Sequence, residues 1–197
     1  MMRIAIFGGT FDPIHRAHLE VARQAAERFE LDRVLVIPNG NPPHKQGVER
    51  VSWADRYRMV ELACAGDSRI VPSRLEEGQE RSYSIHTIER VKAQYPGDRV
   101  FFLIGADAFA EIRTWHRWED VIARVEFIVV SRPGHRYDVP AGARVLPLEN
   151  VELDLSSSEV RAALGAGQMP VEALPVAVRE YIVARGLYGV AAGHASR

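Results

Sequence analysis

Apolar residues along the chain fall into short unbroken runs separated by stretches in which they recur at helical spacing. Ile4-Ala-Ile-Phe7 has no polar member, which is the mark of a central parallel strand covered on both faces. Comparable runs are Arg33-Val-Leu-Val-Ile-Pro38, the short Arg69-Ile-Val-Pro72, Arg99-Val-Phe-Phe-Leu-Ile104 and Glu126-Phe-Ile-Val-Val-Ser131. Between them, Ala17 to Arg28 is amphipathic. Helical patterns also run from a Ser52 cap to Ala65, from about Ser84 to Gln94, and through Trp118 to Ala123. This alternation predicts an α/β protein with a doubly wound parallel sheet. Ligands of such sheets bind beyond the carboxyl ends of the strands, so Gly8, Pro38, Gly105 and Ser131 are expected to face one crevice.

The first strand end carries the most chemistry. Gly8-Gly-Thr-Phe-Asp-Pro-Ile-His15-Arg-Ala-His18 joins the strand to a helix expected to begin near Ile14. Gly8 and Gly9 admit close backbone approach, and the helix start turns unpaired N–H groups and partial positive charge into the crevice. His15 and His18, three apart, are expected on one helical face in the first turn, where imidazoles can donate to a polyphosphate. Thr10 adds a hydroxyl. The spacing is neither G-x-G-x-x-G nor a Walker loop. His15-x-x-His18 lacks a third zinc ligand at suitable spacing, and Cys64 stands alone, so no protein metal ligand is predicted.

Bulk properties narrow the class. A chain of 197 residues suits one domain over residues 1–190, with the tail 191–197 expected to be disordered. A formal net charge of −1 argues against a nucleic-acid partner, so any anion site must be local. One cysteine excludes an internal disulfide, and no apolar run is long enough for a signal peptide or a membrane span. The expectation is a cytoplasmic, soluble protein without membrane contact; the oligomeric state stays open.

Four later segments follow the same strand ends. Pro38-Asn-Gly-Asn-Pro-Pro-His-Lys45 is a loop with a basic tip. Ser82-Tyr83-Ser84-Ile85-His86-Thr87 reads as a helix start with Ser84 as cap and His86 on the surface. Gly105-Ala-Asp107 leads towards Trp115-His116-Arg-Trp118. Asp107 suits ribose hydroxyls or a helix cap, and Trp118 reads as core. Leu155-Ser156-Ser157-Ser158-Glu159-Val-Arg161 is a capped helix with an arginine one turn in.

These segments carry a resemblance. Gly8 to His18 resembles the G-x-F-D-P-x-H-x-G-H signature of the HxGH nucleotidyltransferase superfamily, with Ala17 where that family usually has glycine. Leu155 to Arg161 is similar to its I-S-S-T-x-[IV]-R signature, with Leu155 and Ser158 as mild departures. The Pro-Pro-His44-Lys45 loop, the S-Y-x-x-x-T segment from Ser82 to Thr87, and Asp107 with Trp115 are similar to the bacterial nicotinate mononucleotide adenylyltransferases. The matches run from residue 3 to 161 in family order.

The resemblance implies a Rossmann-like nucleotidyltransferase fold and AMP transfer from ATP to nicotinate mononucleotide, giving deamido-NAD and pyrophosphate in NAD biosynthesis. It implies catalytic roles for His15, His18 and Arg161. Gly8, Gly9, Thr10, Gly105, Asp107, Ser156 and Ser157 would join them in binding ATP, with Arg161 clamping the β and γ phosphates. Lys45, Tyr83, Ile85, Thr87, Asp107, Trp115 and His116 would bind the acceptor, Trp115 by stacking on the pyridine. Mg²⁺ would arrive with ATP. Phosphopantetheine adenylyltransferase shares the histidine and serine–arginine signatures but not the Pro-Pro-His-Lys loop. A preference for the amide acceptor and a non-catalytic nucleotide-binding regulator are the other readings.

Overall fold

A computed structural model of the chain describes residues 1–40, 51–79, 81–132, 134, 136–149 and 155–192. Six strands form one all-parallel sheet: β1 (Arg3–Gly9), β2 (Arg33–Pro38), β3 (Ile70–Pro72), β4 (Arg99–Gly105), β5 (Glu126–Ser131) and β6 (Arg144–Glu149), in the order β3-β2-β1-β4-β5-β6. The helices are α1 (Arg16–Arg28), α2 (Trp53–Cys64), α3 (Ser84–Gln94), α4 (Ala106–Ala110), α5 (Trp118–Arg124), α6 (Ser157–Gly165) and α7 (Val176–Arg185). The predicted doubly wound sheet is therefore observed, and its strand order reverses between β1 and β4.

Side-chain alternation along each strand explains why the runs are wholly apolar. Ala5, Val34, Val36, Phe101, Leu103, Ile128 and Val130 meet α1, α2, α6 and α7 on one face. Ile4, Ile6, Leu35, Ile37, Phe102, Ile104, Phe127 and Val129 meet α3, α4 and α5 on the other. Both faces are buried, so no position can be polar. The registers Gly9 with Pro38 and Gly105 with Val130 bring the strand ends to one edge. Ser131, expected in the crevice, is instead buried at the end of β5.

Several boundaries differ from expectation. The first long helix starts at Arg16 rather than Ile14, with His15 as its N-cap in an extended conformation. Ser52 does cap α2, accepting from the Asp55 N–H at 3.1 Å. Ser84 does not cap α3; Tyr83 holds that place without a side-chain bond, and Ser84 is the first helical residue. Gly105 precedes α4, and Asp107 sits in its first turn rather than at its cap. Trp118, expected in the core, is only half-buried against it. The tail from residue 193 lies outside the described residues. Among those residues no helix is long and apolar enough to cross a membrane.

Candidate active site

The turn after β1 is built against its own phenylalanine. A side chain on Gly9 would bring its first carbon within 2.9 Å of the Phe11 ring, so any larger residue there would push that ring aside. Phe11 adopts a left-handed φ of 49° and is buried. That inward fold presses the ring edge-on to the His18 imidazole, with centroids 5.1 Å apart. The two histidines are not side by side on the first helical turn. His15 lies before the helix and His18 in it, and their rings stack at 3.7 Å.

Burial of this stacked pair sets its protonation state. The backbone N–H of His15 donates to Nδ1 of His18 at 3.2 Å. Nδ1 is then an acceptor, so the single proton of a neutral His18 ring belongs on Nε2. Burial pushes His15 down to about 4, with Glu159 opposing the shift. Burial, and secondarily His15, holds His18 well below the usual histidine range. At neutral pH both rings are uncharged, and His18 is a neutral hydrogen-bond donor.

Helix α6 closes the other side. Ser156 and Glu159 form a reciprocal capping box, the Ser156 Oγ accepting from the Glu159 N–H at 3.2 Å and the Glu159 carboxylate accepting from the Ser156 N–H at 2.8 Å. Ser156 is thereby used as a cap. Ser157 donates to the Pro13 carbonyl at 3.0 Å, and Arg161 donates to the Asp12 carbonyl at 2.7 Å and to the Ser158 hydroxyl at 3.1 Å. The result is a polar cleft of about 200 Å³ lined by Thr10, Phe11, Asp12, His18, Ser157, Ser158 and Arg161. His15 and Ser156 are not among its lining residues.

Two further side chains brace the turn. The guanidinium of buried Arg56 donates to the carbonyls of Thr10 at 2.7 Å and Asn39 at 2.9 Å, coupling the loops after β1 and β2. The Tyr188 hydroxyl donates to the buried Asp12 carboxylate at 2.6 Å. Neither was singled out from sequence. Arg56 lies within an ordinary helical pattern and Tyr188 is 176 residues from its partner, so no local spacing marks them.

Beyond Thr10 opens a second space of about 300 Å³, walled by Gly8, Gly9, Asn39, Glu76, Ser82, Ser84, Thr87, Phe102, Gly105, Ala108 and Trp115, with β1 and β4 residues at its floor. Trp115 is held edge-on by Phe102 at 5.8 Å. Of the residues proposed for the acceptor, Thr87 and Trp115 line this cavity. Ile85 is buried in the core and is not among the residues lining the cavity. Tyr83 and His116 pack together at 4.5 Å outside the lining, and Asp107 is exposed in the first turn of α4. The Thr87 hydroxyl donates to Glu76 at 2.6 Å. Lys45 lies outside the described residues. A wider depression of about 600 Å³ beside Arg16, Glu20, Arg23 and Pro175 is lined by none of the predicted site residues.

Comparison with known proteins identifies the family. A cytidylyltransferase-like family profile matches residues 6–163. A curated protein of Solibacter usitatus named "Probable nicotinate-nucleotide adenylyltransferase" is 58% identical over 188 residues, covering 95% of this chain and 100% of its own. The chain belongs to the nicotinate-nucleotide adenylyltransferase family. A Gloeobacter violaceus member with the same name is 41% identical over 202 residues, covering 97% and 98% of the two chains. Among solved structures, the Plasmodium falciparum nicotinic acid mononucleotide adenylyltransferase complexed with NaAD superposes with a TM-score of 0.81. It covers 96% of this chain and 98% of its own at 20% identity, a likeness of fold. Membership makes this chain an enzyme, a nucleotidyltransferase.

Proposed function

We propose that the chain transfers AMP from ATP to nicotinate mononucleotide by direct in-line attack, with no covalent intermediate. The observation that carries this reading is that the polar cleft and the Trp115 cavity meet at Thr10, which lines both. A triphosphate held by His18, Ser157, Ser158 and Arg161 would thus present its α-phosphorus to an acceptor phosphate entering from the cavity side. The acceptor oxygen forms the new bond to that phosphorus as the bond to the β-phosphate oxygen breaks, and pyrophosphate leaves. A phosphate monoester has a second pKa of about 6, so the nucleophile needs no general base at neutral pH.

The protein's part is positioning and charge stabilisation. The Nε2–H of neutral His18 donates to oxygens around the α-phosphate, with Thr10 beside it and His15 holding the ring in place. Arg161, a planar fork, engages the β and γ phosphates. Trp115 stacks on the pyridine ring, and the N–H groups of Ser84 and Ile85 at the start of α3 meet its carboxylate. Lys45 and Asp107 are proposed for the acceptor phosphate and for ribose hydroxyls, and His116 supports the acceptor wall through Tyr83.

Mg²⁺ is proposed to travel on the ATP oxygens and water, offsetting charge on the departing pyrophosphate. Asp12, the carboxylate residue lining the cleft, accepts from Tyr188, and no group of three or more His, Cys, Asp or Glu side chains is gathered as ligands among the described residues.

Pyrophosphate release with ATP, Mg²⁺ and one acceptor at a time tests the reading. Nicotinate mononucleotide should be the preferred acceptor, ahead of the amide and of phosphopantetheine. Faster release with either alternative overturns the assignment, and ATP binding without pyrophosphate from any acceptor favours a regulator.

A further inference from the structure

Sixteen described residues line the Trp115 cavity, and Glu76 is the one among them with a formal charge. It is buried, on the connection between β3 and α3. Its Oε1 accepts from the Thr87 hydroxyl at 2.6 Å and its Oε2 from the Gly40 N–H at 3.3 Å. A side chain at Gly40 would bring its first carbon within 2.4 Å of the Glu76 carbonyl oxygen, so the two backbones lie too close for any residue but glycine there. The carboxylate is therefore held in one place. An acidic group in the wall of a cavity meant for a phosphate-bearing, carboxylate-bearing acceptor opposes both of those anions, so it calls for a cationic counterpart.

We propose that Glu76 is a specificity-determining residue that selects the charged pyridinium ring of the acceptor over a neutral ring of the same outline. The inference rests on the acceptor assignment proposed above. A pyridine nitrogen bonded to ribose is quaternary and carries a fixed positive charge that no pH change removes. The Trp115 face and the Glu76 carboxylate then hold this cation together, while the acceptor's carboxylate lies at the start of α3. The 1,4-dihydropyridine form has lost that charge and keeps only ring contact with Trp115.

The test compares nicotinate mononucleotide with its 1,4-dihydro form as acceptors, with ATP and Mg²⁺, in the wild-type protein and in Glu76→Gln. Glutamine keeps the length and a partner for Thr87 but loses the charge and the acceptor facing Gly40. That lost hydrogen bond lowers kcat/KM for both acceptors by a common factor. Opposite charges a few ångströms apart in a half-open site are worth about tenfold, so the oxidised acceptor should fall about tenfold further than the reduced one, mainly through KM. An equal fall for both means Glu76 only braces the wall and refutes the proposal, as does no change in either. Should the variant not fold, competition on the wild-type protein still decides: the reduced form should inhibit at least about tenfold more weakly than the oxidised form binds, and equal strength refutes the proposal. Wild-type protein that releases no pyrophosphate with the oxidised acceptor but does so with another acceptor fails the acceptor assignment instead, and the Glu76 proposal falls with it.

Discussion

Replacing His15 with glutamine should flatten the dependence of stability on pH. The His15 ring is 3% exposed and stacked on His18, and its pKa falls from 6.5 to about 4 because burial disfavours the imidazolium. The folded pKa lies below the unfolded one, so between the two values the unfolded chain binds the extra proton, and stability rises with pH. The contribution is fully present above pH 6.5 and is lost as pH falls towards 4. A gap of about 2.5 units corresponds to about 3 kcal/mol, of which about 2 kcal/mol is gone by pH 5. Urea unfolding of the wild-type protein and His15→Gln at pH 7.5 and 5.0 measures the difference directly. Carboxylates elsewhere titrate alike in both proteins and cancel. The wild-type protein should lose about 2 kcal/mol more than the variant over that interval. Equal losses would refute the picture of a His15 held neutral by burial.

His18→Ala removes the neutral donor in the cleft and should lower turnover about 10²- to 10³-fold while circular dichroism and Tm show a folded protein; activity near wild type would rule His18 out of the chemistry. Tyr188→Phe leaves one oxygen of buried Asp12 without its 2.6 Å hydrogen bond. It should cost about 1–3 kcal/mol in urea unfolding at pH 7. Burial and the Asp12 bond raise the Tyr188 pKa, so that stability is present below pH 10 and lost above it, and the variant should lose less on going to alkaline pH.

Much of the fold was legible because it is local. Unbroken apolar runs in β1, β2, β4 and β5 state that both sheet faces are covered, and the Ser52 and Ser156 caps name helix starts through bonds that span three residues. β6 escaped notice because Arg144-Val-Leu-Pro-Leu-Glu149 carries Pro147 in its middle. As an edge strand with one neighbour it can turn the missing donor outward. The misplaced Ser84 cap and the late start of α1 are boundary errors, since a helix end depends on what packs before it.

The site divides along the same line. Residue order alone determined that a glycine turn precedes two histidines, that an arginine stands one turn into a capped helix, and that Trp115 and Thr87 follow strand ends. Only the folded chain decided what those residues do to one another: the burial that keeps the stacked His15 and His18 neutral, the Arg56 bridge between Thr10 and Asn39, the Tyr188 bond to Asp12, and Glu76 in the cavity lining. Charge state and orientation at this site depend on burial and on partners far away along the chain, and neither quantity is written in local spacing.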